Sequence, residues 1–365
     1  MIIGMLGKSF KENEKRYPIH QKHLASLSDF ERSHLIFEED YPGIYSTQGV
    51  FSIFPRHEVF QRADIIVLPK PDRKDYDSFH DNQILWGWPH AVQGREITQL
   101  SIDKRLTVIA WENMFKWVNG VKREHVFARN NELAGYAAVN HFMELNGVTP
   151  GVYGENMKIA VLGYGSTARG AINALLGLGG TDVTVYSRRS RFQIADAIKN
   201  VKYEMYESHD NEVWIRGEVA HKELANFDLI VNCVLQDPLN PLMFIRESDI
   251  LSKRLLIIDI SCDKGMAFDF AIPTSFDNPM RITKKYVYYA VDHTPTFFWN
   301  SASYEISGAL MPYLKYIIEN GSYRGNETLE RAVDIENGKI LNTAILKFQR
   351  RNDYYPYTYI NPDDE

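Results

Sequence analysis

Cysteine is nearly absent: two residues in 365, Cys233 and Cys262, each ending an apolar run and neither in a metal-ligand spacing. That excludes a disulfide scaffold and a zinc module, and predicts buried free thiols in a reducing compartment with no metal site. Long apolar runs are also missing. No stretch approaches the roughly 20 apolar residues of a membrane helix, and the apolar opening Met1 to Leu6 is far shorter than a signal core, so a soluble cytoplasmic chain is expected, with no membrane partner. Nor is there an excess of positive charge. Lys and Arg number 41 against 47 Asp and Glu, a net charge of −6, which gives no footprint for nucleic acid. Internal repeats and low-complexity tracts do not occur. The length exceeds one typical domain, which predicts two domains, each with its own core.

The strongest local signal is the run Lys158 to Arg189: strand, glycine turn, helix, strand. After the apolar Ile159-Ala160-Val161-Leu162 come Gly163, Gly165 and Ala168 in the form G-x-G-x-x-A, with Ser166 and Thr167 opening the helix. Gly163 permits a tight turn, Gly165 lets backbone approach a pyrophosphate, and Ala168 keeps helix and sheet close. The helix N-terminus then faces the phosphates. A dinucleotide is the ligand this context predicts. The second strand ends in Ser187-Arg188-Arg189, where an NAD site normally carries an acid for the ribose hydroxyl. Two guanidinium groups and a hydroxyl suit a 2′-phosphate, so NADP(H) is the expected cofactor.

Around this module the chain reads as doubly wound α/β. Ile2–Leu6, Leu35–Glu38, Asp64–Leu68, Gln83–Trp86 and Leu106–Ala110 have strand character and alternate with helical stretches. Leu133 to Leu145 is an apolar-patterned helix stopping at Asn146-Gly147, predicted to link two domains. Leu229–Val234, Leu255–Ile260 and Tyr286–Val291 supply further strands of a Rossmann sheet, while 203–221 has no readable period. Ser301 to Asn320 has helical spacing and is expected to cross back to the first domain. The expected fold is two Rossmann-like domains with a cleft between them: 1–135 with 295–365 for substrate, 136–294 for NADP. The tail from Gln349 to Glu365 lacks a period and reads as partly disordered or as an interface arm.

Ligands of parallel sheets bind outside the carboxyl ends of the strands. Ionisable side chains stand at such ends in four places: Lys11 to Arg16, Lys70 between Pro69 and Pro71, His90 in Trp86-Gly87-Trp88-Pro89-His90, and Asp263 in Asp259 to Gly265. Singly, each is as readily a solvated or hydrogen-bonded loop residue.

In this order, KENEKR, the strand-end lysine, the strand-end histidine, GYGSTARG and DISCDKG resemble the alanine dehydrogenase and pyridine nucleotide transhydrogenase superfamily over most of residues 1 to 320. The run YAVDHTP, Tyr289 to Pro295, is more similar to saccharopine dehydrogenases. The combination most resembles the N5-(carboxyethyl)ornithine synthases, opine-forming relatives that condense pyruvate with the side-chain amine of ornithine or lysine using NADPH. That resemblance implies roles. Arg16 would hold the keto-acid carboxylate, Lys70 would bond the carboxylate or carbonyl oxygen, His90 would move protons, and Asp263 would sit between nicotinamide and substrate. Val234, Leu235, Ser261 and Asp292 join the glycine turn and Ser187-Arg188-Arg189 as expected cofactor contacts. Glu112, after the strand Leu106 to Ala110, is a candidate counter-charge for the amine; a structural ion pair is the equal alternative. Asp292 and His293 either touch the amino acid or fix the hinge. Relatives imply a homo-oligomer. The rival readings are an alanine dehydrogenase using ammonia, a saccharopine dehydrogenase with Arg129 as the extra arginine, and a non-catalytic NADP-binding sensor.

Overall fold

Short runs of Ile, Val and Leu buried on both faces are what parallel central strands require. Ile65–Leu68, Thr107–Ala110, Lys158–Leu162 and Leu229–Asn232 are of that kind. In a computed structural model describing residues 1–47, 50–194, 196–237 and 240–360, they organise two sheets, one in each of two compact units. One unit comprises Met1–Ala128 with Trp299–Glu365, the other Arg129–Phe298.

The first unit holds an eight-stranded sheet. In spatial order its strands are Lys339–Ile340, Val333–Glu336, Thr107–Ala110, Ile84–Gly87, Ile65–Leu68, Ile3–Met5, Leu35–Glu38 and Ser52–Phe54. Val333–Glu336 runs antiparallel to both of its neighbours, and the six strands from Thr107–Ala110 onward are parallel. The six parallel strands follow the order 3-2-1-4-5-6 of a doubly wound sheet, with the switch point between Ile3–Met5 and Ile65–Leu68. Each strand read from the sequence lies within a residue or so of its expected bounds. The strand Ser52–Phe54 and the hairpin of Phe115–Val118 with Val121–His125 were not legible. After the second unit, the helix Trp299–Asn320 brings the chain back, burying Ile306, Leu310, Leu314 and Ile317 in one core with Ile3, Met5, Trp86 and Ile109.

The second unit holds a seven-stranded sheet: Val201–Met205, Asp182–Ser187, Lys158–Leu162, Leu229–Asn232, Leu255–Asp259, Tyr286–Tyr289 and Met280–Ile282, parallel except for the last. Its parallel strands repeat the same order, so the switch point falls between Lys158–Leu162 and Leu229–Asn232. The helix Ala128–Asn146, expected to be a linker, packs Val139, Phe142 and Met143 against Ile159 and Val161 inside this unit. Its Gly135 meets Gly170 of the helix Ser166–Gly177 backbone to backbone: a Cβ at Gly135 would stand 1.9 Å from the Thr167 carbonyl oxygen, and one at Gly170 1.7 Å from that of Glu132.

The unreadable stretch 203–221 resolves into strand ends. Val201–Met205 closes the main sheet edge, and Glu207–His209, Glu212–Ile215 and Glu218–Val219 join Met243–Ile245 and Ala267–Phe268 in a separate five-stranded sheet. The cysteines are half-buried rather than fully buried, and neither forms a disulfide. The tail is not loose through Ile360: Arg351 is buried and donates to Gln349, Gln99, the Tyr357 carbonyl and the Tyr359 hydroxyl. Residues 361–365 lie outside the described residues. Among the described residues no helix is long and apolar enough to cross a membrane, and no group of three or more His, Cys, Asp or Glu could hold a metal ion.

Candidate active site and nucleotide site

In the first unit, the residues singled out from the sequence stand at the carboxyl ends of parallel strands, two of them flanking the switch point. Ser9, just after Ile3–Met5, donates its hydroxyl to the Lys70 carbonyl at 2.6 Å, which ties the KENEKR loop to the lysine across that point. Lys70 is 7% exposed. Arg16 is only 2% exposed, and its Nε and Nη2 donate to Glu14 at 2.8 and 2.5 Å. The guanidinium also lies 4.9 Å from the Trp88 ring. Glu14 thus orients the arginine and uses part of its donor fork, a role the sequence did not disclose.

His90 is half-exposed at the head of the turn that follows Ile84–Gly87, in the left-handed region at φ 49°. Its backbone N–H donates to Glu112 Oε1 at 2.8 Å, and its Nδ1 lies 3.8 Å from the same oxygen. Burial and the negative charge of Asp334 push the Glu112 carboxyl up to about 8, opposed by backbone N–H groups and the Lys70 charge. Glu112 is therefore largely protonated at neutral pH. Asp334 is itself pushed up to about 6 by burial, although Asn342 and Asn113 donate to it. Two of the expected residues, Lys70 and His90, are thus brought within electrostatic reach of a third, Glu112.

In the second unit the glycine turn has the form its sequence predicts. Gly163 sits at φ 89°, where a Cβ would approach the Cys233 carbonyl to 3.1 Å. Gly165 is different: its backbone is extended and a Cβ there would meet no protein atom within 4 Å. Nothing in the protein demands that glycine, and the bare cradle before Ser166 and Thr167 fits a pyrophosphate. Ala168 is fully buried against the sheet. At the end of Asp182–Ser187, the Ser187 hydroxyl is engaged with the backbone of Arg189, donating to its carbonyl at 2.8 Å. Arg189 Nη2 donates to the Tyr164 carbonyl, inside the glycine turn, at 2.7 Å. Arg188 is exposed and interacts with the Tyr206 hydroxyl. Arg189 thus stands against the turn and Arg188 against Tyr206, while Ser187 shapes the loop.

The remaining nucleotide-unit residues surround a buried carboxylate that the sequence reading passed over in favour of Asp263. Asp259, fully buried, accepts from Asn232 Nδ2 at 2.9 Å and from the Tyr288 hydroxyl at 2.7 Å, joining the ends of three adjacent strands. Burial pushes it up to about 6. Asp263 is pushed up to about 6 as well, by burial first and then by the charges of Asp259 and Asp292. The Ser261 hydroxyl donates to the Val234 carbonyl at 2.7 Å, while Leu235 next to it is exposed. Asp292 lies 3.2 Å from His293 Nδ1. The signal for Asp259 was present: an acid closing the run Leu255-Leu256-Ile257-Ile258, where a buried charge needs partners.

Comparison with known proteins bears on the family and the fold. Residues 133–343 match the family described as alanine dehydrogenase/PNT, C-terminal domain. Alanine dehydrogenase 1 of Staphylococcus aureus (strain NCTC 8325 / PS 47) is 23% identical over 374 residues, covering 94% of this chain and 96% of that protein. Among solved structures, an L-alanine dehydrogenase superposes with a TM-score of 0.72 at 19% identity, covering 95% of this chain and 99% of the other. A transhydrogenase from Sinorhizobium meliloti superposes with a TM-score of 0.70 at 14% identity, covering 94% and 100%. At these identities the structural matches speak for the fold.

Proposed function

Because the chain belongs to the alanine dehydrogenase/PNT, C-terminal domain family, and so is an oxidoreductase expected to use a pyridine nucleotide on amino-acid C–N bonds, we propose that it is an NADP(H)-dependent enzyme of the N5-(carboxyethyl)ornithine synthase type. It joins a small 2-keto acid, pyruvate, to the side-chain amine of ornithine or lysine. The observation that carries the cofactor choice is the pair Arg188 and Arg189, the second bonded to the glycine turn, in a loop with no carboxylate for a ribose hydroxyl. The amine choice rests on the resemblance of Tyr289 to Pro295. We further propose that the first unit binds the keto acid and the second the nucleotide, and that the enzyme is a cytoplasmic homo-oligomer.

In this reading Arg16, held by Glu14, binds the keto-acid carboxylate, and Lys70 bonds the carbonyl oxygen as it gains charge. Amine addition to the carbonyl gives a carbinolamine. His90 passes the proton released from nitrogen to the alkoxide, and a second proton taken up from solvent through the same imidazole protonates the resulting hydroxyl, so that water leaves and an iminium remains. The hydride for the iminium carbon would come from NADPH when bound. Gly163, Gly165, Ser166, Thr167 and Ala168 would hold its pyrophosphate, Arg188 and Arg189 its 2′-phosphate, and Val234, Leu235, Ser261 and Asp292 its nicotinamide half. Asp263 would offset the charge of the cationic carbon–nitrogen bond. Glu112, engaged on His90, sets the imidazole instead of pairing with the amine.

The test is NADPH oxidation with pyruvate or 2-oxoglutarate against ammonia, ornithine and lysine, with mass analysis of the product. Expected is an N-carboxyethyl amino acid from pyruvate and ornithine or lysine. Turnover with ammonia alone, which the similarity to alanine dehydrogenases makes the second reading, overturns the amine assignment; a preference for NADH overturns the cofactor assignment. Lys70→Ala and His90→Ala are expected to lower kcat by roughly 10²–10⁴-fold while NADPH fluorescence titration is unchanged.

A further inference from the structure

The first unit carries a cavity of about 350 Å³ beside its hairpin that the chemistry above does not use. Phe115 and Trp117, two apart on one strand, line the same side of it. Each ring holds a cation that also lines the cavity. Lys122 Nζ lies 3.6 Å from the Phe115 ring centre, and the Arg331 guanidinium, whose Nε donates to Glu327 at 2.9 Å, lies 4.0 Å from that of Trp117. The stacking fixes where the two positive charges stand.

A third lining residue, Asp334, is 3% exposed. Its Oδ1 accepts from Asn113 Nδ2 at 2.7 Å and Asn342 Nδ2 at 2.9 Å, whereas Oδ2, also buried, has no hydrogen-bond partner among the described residues. A buried carboxylate oxygen held in place by two amides yet lacking a donor is costly unless a ligand supplies one. The site therefore asks for a donor at Asp334 and an anion at Lys122 and at the Nη groups of Arg331, whose Nε is taken by Glu327. A simple anion meets Asp334, and a simple cation meets the two bases. Its volume is at the low end of small-molecule sites, about 300–1,000 Å³, too little for a nucleotide.

We propose that this cavity binds a small zwitterionic α-amino acid, its ammonium on Asp334 Oδ2 and its carboxylate between Lys122 and Arg331. Occupancy reaches the catalytic histidine by a short route: Asn113, which holds Asp334, follows Glu112, whose carboxyl holds His90. The site is then an effector site, a consequence that rests on the proposed role of His90; the binding itself does not.

Isothermal titration of the full chain without nucleotide, using glycine, methylammonium and acetate as probes, tests it. Glycine is expected to bind wild-type protein and Lys70→Ala alike, and to bind about tenfold or more weakly in Lys122→Ala and Asp334→Asn. Methylammonium and acetate are each expected to bind at least about tenfold more weakly than glycine. No glycine binding, loss of it in Lys70→Ala only, or acetate binding as tightly as glycine overturns the proposal. Lys122 is exposed, so its variant decides the matter should Asp334→Asn unfold on a circular-dichroism melt. Failure of the substrate screen would leave the glycine isotherm untouched, so the two readings fail separately.

Discussion

Glu112 Oε1 accepts the backbone N–H of His90 at 2.8 Å while lying 3.8 Å from the same residue's Nδ1. One carboxyl group therefore both pins a histidine in the left-handed region, which non-glycine residues enter at a cost, and faces its ring.

That carboxyl makes stability pH-dependent with a definite sign. Its folded value, about 8, is above the ordinary 4.5, so the folded protein keeps a proton that the unfolded chain releases. Its contribution is full below the ordinary value and is lost as pH rises through about 8. Glu112→Gln is expected to melt with a smaller fall in Tm between about pH 5 and about pH 9 than wild type. The raised Asp259 and Asp263 act in both proteins and cancel in the comparison, whereas Asp334, coupled to Glu112, is part of the measured difference. Parallel Tm curves would show that Glu112 does not carry the proton.

Two glycines of one helix region should separate binding from folding. Gly165→Ala adds a methyl where no protein atom lies within 4 Å, so Tm should hold while NADPH affinity falls by about tenfold or more. Gly170→Ala drives a Cβ into the Glu132 carbonyl and should cost several kcal/mol, roughly 3 or more. Calorimetric melts with nucleotide titrations check both.

The arginine pair should set cofactor preference. A charge-assisted hydrogen bond contributes about 1.5–3 kcal/mol, so Arg188→Ala with Arg189→Ala should raise KM for NADPH by at least about tenfold and leave that for NADH nearly unchanged. Equal losses with both cofactors would assign the pair to loop structure, for which Arg189 has a means through the Tyr164 carbonyl.

The tail should prove structural as far as Ile360. Arg351→Ala removes four hydrogen-bonding contacts from a buried position and is expected to cost about 2–4 kcal/mol in urea denaturation. Arg351→Lys should restore little, because an ammonium cannot reproduce the planar fork.

The sheet strands and the glycine turn were legible because their signals are local: apolar runs of strand length, and a turn whose backbone needs specific residues. Much of the remainder depends on partners remote in sequence. Ser52–Phe54 is a half-exposed edge strand without the apolar run of its neighbours. Glu212–Ile215 finds its parallel partner only at Met243–Ile245, beyond another strand of the main sheet. Asp334 stood in no motif, because its effect on Glu112 comes from a strand added antiparallel beside Thr107–Ala110 long after that strand is made. Glu112 was identified, but its engagement with His90 depends on how two loops meet.

The first unit is interrupted: the chain leaves it at Ala128 and re-enters at Trp299. During synthesis from the N-terminus, the second unit is complete while its companion still lacks its return helix and the strand that covers Thr107–Ala110. Until Val333–Glu336 emerges from the ribosome, that open edge is a template for pairing with any neighbouring polypeptide. Chains ended prematurely between those points should therefore depend on chaperones and aggregate first through this lobe.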